Sequence, residues 1–172
     1  MSDFKSLIEG TPLLPILQPH SVEQAVNIAG AVHASGLRSI EVVRRTPVAA
    51  AAVTAIREAF PELLVGMGTV LNQEHVQEAV DAGSQFIITP TLSEKLLSAL
   101  SDINIPYLPG TASPSDILLA VEAGLSEVKF FPASLSGGAA MLKNFSAIFP
   151  EVSLCPTGGI SNSNLHEYSS LP

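Results

Sequence analysis

The segment SEVKFFPAS, residues 126–134, sets Lys129 inside an apolar run of strand length. An ammonium group in an apolar interior is costly unless a neighbour pairs with it or its proton leaves. A lysine whose charged form is disfavoured by burial and by a nearby cation becomes an amine nucleophile near neutral pH, able to form an imine with a ketone. The imine is an electron sink. It permits scission of the C3–C4 bond of a 2-keto acid, provided that one group shuttles protons and a cation holds the carboxylate. The segment SIEVVRR, residues 39–45, offers both. Side chains alternate along a strand, so Glu41, Val43 and Arg45 share a face and Arg44 points the other way. Glu41 suits proton transfer, and the planar fork of Arg45 suits a carboxylate. In CPTGGIS, residues 155–161, backbone N–H groups around Gly158 and Gly159 offer a place for phosphate, with a following helix to supply its positive end.

Each residue also has a plainer reading. Lys129 suits a structural ion pair, since such networks also perturb buried lysines. Glu41 and Arg45 could simply bridge one another. Thr69 could satisfy a strand-end backbone group, and the glycine pair could be a plain turn. Cys155, in an apolar strand, reads as a small core hydrophobe. His20, His33, His75 and His166 lack metal-ligand spacing and suit surface or cap roles.

The elements that must position these groups recur along the chain. Seven apolar runs of strand length begin at residues 13, 39, 63, 85, 105, 127 and 152, a spacing of 20 to 26 residues that marks one repeated unit. Helical patterns fill the gaps: residues 21–36 open on Ser21 and close on Gly36, residues 93–100 open on Ser93, and residues 113–124 start from Ser113 or Ser115 and stop at Gly124. Continuously apolar strands alternating with helices predict a parallel sheet covered on both faces. A dinucleotide-binding sheet wants G-x-G-x-x-G after the first strand, yet LLPILQPHS has no glycine there, and GMGTVL after the third lacks the last one. A closed barrel instead gathers polar groups at the carboxyl ends of its strands. Those ends carry Glu41 with Arg45, Thr69, Thr89, Thr111, Lys129, and Thr157 with Gly158 and Gly159. The reading is an α/β (β/α)8 TIM-type barrel, a single domain over residues 1–172, with the eighth βα unit absent.

Composition narrows the partners. The 172 residues are 47% hydrophobic, enough for one core, and carry a formal net charge of -8 without a basic run, which argues against nucleic acid. No apolar run reaches the roughly 20 residues of a membrane span. The first residues lack a secretory pattern, and the single cysteine suits a reducing compartment, so a soluble cytoplasmic protein is expected.

SIEVVRRT, GMGTVL, LPGTASPSD, EVKFFPAS and CPTGGIS resemble, in order and spacing, the motifs of the bacterial KDPG/KHG aldolases. The resemblance implies a homotrimer of (β/α)8 barrels that cleaves 2-keto-3-deoxy-6-phosphogluconate or 4-hydroxy-2-oxoglutarate through a Schiff base, with no metal or other cofactor. It implies that Lys129 forms the imine and Glu41 shuttles protons. Arg45 and Thr69 would hold the carboxylate, and Gly158 and Gly159, beside Thr157, the substrate phosphate. Departures stand at Val43, Arg44 and Thr91, where the family often has threonine, a nonpolar residue and glycine. Two rival readings keep the same motifs: a decarboxylase of a 2-oxo diacid such as oxaloacetate, and a non-catalytic truncated barrel.

Overall fold

A computed structural model describes residues 4–8 and 13–171. Helix α1 (Phe4–Leu7) precedes β1 (Ile16–Leu17), α2 (Val22–Ala34), β2 (Ser39–Val43), α3 (Ala49–Ala59), β3 (Leu64–Gly68), α4 (Gln73–Asp81) and β4 (Phe86–Ile88). The chain continues through α5 (Glu94–Ser101), β5 (Tyr107–Leu108), β6 (Gly110–Thr111), α6 (Pro114–Glu122), β7 (Glu127–Phe130), α7 (Gly138–Ile148), β8 (Ser153–Pro156) and α8 (Leu165–Ser169). Helix starts follow the sequence: Ser21, Ser93 and Ser113 each accept a backbone N–H from the first turn, and Asp116 completes a capping box with Ser113. Gly36 and Gly124 take the left-handed backbone after α2 and α6, as a helix stop requires.

Every ladder is parallel, in the orders β1-β2-β3-β4-β5 and β6-β7-β8. The expected fifth strand is divided at Pro109, which has no N–H to give. Its first half pairs with β4 and its second with β7, while the Pro109 carbonyl accepts from Lys129 N at 2.8 Å. One segment thus joins the two sheets.

That wall is strongly curved. Glu41 on β2 and Lys129 on β7 lie four ladder steps apart, roughly 19 Å in a flat sheet, yet their side chains approach to 3.6 Å. Such closeness requires the strands to curl around a lumen, the geometry of a TIM-type barrel. Helices α2–α5 cover one arc of strands with a core that includes Ile40, Val42, Val53, Ile56 and Ile87, and α6–α8 cover the other around Val128, Phe130 and Phe145. Phe4, Phe86, Ile88 and Leu108 form a third apolar cluster. Phe4 meets Phe86 edge-on at 5.5 Å, and Lys5 N donates to the Glu127 carboxylate, which docks α1 against the start of β7.

Candidate active site

Lys129 and Glu41 are the charged residues buried at the centre of the wall; their side chains are 6% and 2% exposed. At 3.6 Å they form an ion pair too long for a hydrogen bond, and Glu41 Oε1 has no hydrogen-bond partner. Burial pushes the Glu41 carboxyl above its ordinary 4.5, against the opposing charges of Lys129 and then Arg45. The Phe131 ring lies 5.0 Å from Lys129 Nζ, within cation–π range. The mutual Glu41–Arg45 bridge, one of the plainer readings, does not form: Glu41 pairs with Lys129 instead.

Both residues line a cavity of about 660 Å³ together with Cys155, Thr157, Gly158 and Gly159. Its other walls are largely apolar, Leu13 to Ile16 on one side and Ile88 and Leu108 among the rest. The cavity reaches from the β1 segment to the β8 segment, which share no ladder among the described residues. Cys155 stands in register with Lys129 on the adjacent strand. Burial pushes its thiol up, more than Lys129 pulls it down, so it remains a protonated, weakly polar lining group.

Two predicted residues stand outside this lining. Arg45 is exposed just beyond β2, where its charge still reaches Glu41. Thr69, directly after β3, has φ 64°, a left-handed backbone that is an outlier for a β-branched residue. Strain of that kind concentrates at functional sites. Arg44 does point the other way, its Nε bonded to Glu78 of α4. Of the other strand-end threonines, Thr89 Oγ1 donates to Thr91 O at 2.5 Å and accepts from Gly110 N, and Thr111 Oγ1 donates to Lys129 O at 3.0 Å. Those hydroxyls fasten backbone.

The turn after β8 presents N–H groups. Gly158 and Gly159 have φ 96° and 76°, accessible to glycine without strain. The carbonyls of Thr157, Gly158 and Gly159 are taken by Ala133 N, Ser134 N and Asn164 Nδ2, whereas the Gly158 and Gly159 N–H groups donate to none of the described residues. Successive free N–H groups in such a turn make a concavity suited to an anion. The following helix begins only at Leu165. Among the described residues no group of three or more His, Cys, Asp or Glu gathers to hold a metal ion.

A parallel βα barrel whose lumen buries a lysine against a carboxylate has the equipment of a lyase that works through a Schiff base. Comparison with known proteins narrows this class. The family profile described as KDPG and KHG aldolase matches residues 4–172, and the chain belongs to that family. It is 41% identical over 167 residues to the KHG/KDPG aldolase of Escherichia coli K12, covering 97% of this chain and 78% of that one. The KDPG aldolase of Legionella pneumophila, solved with pyruvate captured as a covalent carbinolamine, has a TM-score of 0.95 and 38% identity, covering 99% of this chain and 83% of that one. The enzyme of Zymomonas mobilis ZM4, solved with 3-phosphoglycerate, has a TM-score of 0.92 and 37% identity over 96% of this chain and 79% of its own. The protein is a carbon–carbon lyase, an aldolase of the Schiff-base class.

Proposed function

We propose that the protein cleaves 2-keto-3-deoxy-6-phosphogluconate or 4-hydroxy-2-oxoglutarate to pyruvate and an aldehyde, glyceraldehyde 3-phosphate or glyoxylate respectively. The observation that carries this reading is the Lys129–Glu41 pair facing one cavity. Once it has given up its proton, the Lys129 amine adds to the C2 carbonyl, and the carbinolamine hydroxyl takes up a proton and leaves as water, giving the protonated imine. Glu41 takes the proton of the C4 hydroxyl; the C3–C4 bond breaks, the aldehyde leaves, and the electron pair rests as an enamine. Glu41 returns a proton to C3, and water releases pyruvate and the amine. Arg45 and Thr69 hold the keto-acid carboxylate, and Thr157 with the Gly158 and Gly159 N–H groups holds a distal phosphate. The pyruvate carbinolamine of the Legionella relative supports the covalent step.

Borohydride reduction in the presence of pyruvate should leave a stable adduct within peptide 126–134. An adduct mapped to Lys5, Lys95 or Lys143, or none in folded protein, would remove Lys129 from its role.

A homotrimer and a cytoplasmic location belong to the same proposal. Exposed Leu118, Val121 and Ile148 support self-association, and no helix among the described residues is long and apolar enough to cross a membrane. Light scattering should return the mass of three chains; the mass of one chain would exclude the trimer.

A further inference from the structure

GMG at residues 66–68 fails as a dinucleotide fingerprint, and the backbone does not demand its glycines: neither Gly66 nor Gly68 lies among the positive-φ positions. Space demands them. A Cβ on Gly66 would stand 2.1 Å from the Phe86 ring. A Cβ on Gly68 would stand 1.9 Å from Glu41 Oε1, 2.7 Å from its Cδ and 2.8 Å from its Cγ. The Glu41 carboxyl group therefore occupies the volume that any side chain at residue 68 would fill, on the strand adjacent to its own. That same Oε1 is the atom 3.6 Å from Lys129 Nζ.

We infer that Gly68 is a positioning residue: its missing side chain is the slot that seats the Glu41 carboxylate beside Lys129. This rests on the proposed roles of Lys129 and Glu41 and assigns the neighbouring strand a part in them. An alanine at residue 68 pushes the carboxylate aside and leaves the amine in place. Imine formation should then survive while proton transfer fails. The pyruvate imine loses a C3 proton to Glu41 and regains one from it; in deuterium oxide the returned atom is deuterium, so methyl exchange reads Glu41 directly.

The experiment compares wild type, Gly68→Ala, Gly66→Ala and the pair Glu41→Ala/Gly68→Ala, reading thermal unfolding, borohydride trapping of pyruvate and exchange of the pyruvate methyl by proton NMR. Gly68→Ala should keep trapping within about threefold while exchange per trapped imine falls about 10²-fold, the usual scale of general acid–base help. Gly66→Ala, which disturbs Phe86, should lower thermal stability without changing that ratio. If Gly68→Ala does not fold, adding Glu41→Ala should restore folding, because it removes all three Glu41 atoms that the new Cβ would meet. A ratio unchanged in folded Gly68→Ala, an equal fall of trapping and exchange, or an unfolded Gly68→Ala that Glu41→Ala fails to rescue overturns the inference. Wild type that traps no pyruvate on Lys129 would instead overturn the reading of the lysine.

Discussion

Burial and charge pull Glu41 in opposite directions, and burial wins. The folded chain holds the proton of this carboxyl more tightly than the unfolded chain, where the ordinary value of 4.5 applies. Stability from this group is therefore full below 4.5 and is lost as pH rises through the raised folded value. The proposed proton transfer needs the opposite form, since only the carboxylate can accept the C4 hydroxyl proton. The proton-accepting form thus carries a buried charge that costs stability. It follows that kcat/KM for cleavage should fall on the acid side through an apparent pKa above 4.5, and that Glu41→Gln should abolish this limb along with most of the rate. An acid limb centred at or below 4.5, or one that persists unchanged in Glu41→Gln, would assign the proton transfer to another group.

At the scale of elements, much was legible because the physics is local. Parallel strands covered on both faces must be continuously apolar, which places β2, β3, β4, β7 and β8 within the predicted runs. Ser21, Ser93 and Ser113 announce helix starts because their side chains replace a missing backbone partner within three residues. What stayed hidden depends on distant chain segments. That Glu41 meets Lys129 rather than Arg45 follows from closure of the wall, which no single strand encodes. Arg45 and Thr69 sit past their strand ends, where alternation no longer fixes direction, and the left-handed backbone of Thr69 runs against the preference of its residue type. The glycines of GMG looked like an incomplete cofactor motif because their neighbours, Phe86 and Glu41, come from flanking strands. The fifth run reads as one strand; that it divides at Pro109, with its two sides serving different neighbours, depends on the flanking strands.

At the scale of the whole molecule, that division poses a question of cooperativity. Five strands end in β5 and three begin at β6, and each group has its own apolar core against its own helices. Two such arcs can unfold separately unless something couples them. Here the coupling is dense. Residues 107–111 belong to both ladders, Thr89 from one arc accepts the amide of Gly110 in the other, and the Glu41–Lys129 pair spans the lumen between them. The chain has no tryptophan and two tyrosines. Tyr107 packs against the larger core and Tyr168 lies in the smaller one. Tyr107→Phe leaves a reporter on the second arc, and Tyr168→Phe leaves one on the first. In urea, the remaining tyrosine's fluorescence and the far-ultraviolet circular dichroism should give the same midpoint within each variant, the behaviour of one cooperative domain. A tyrosine midpoint displaced from the circular dichroism midpoint in either variant would mean that the two arcs are separate units joined at Pro109.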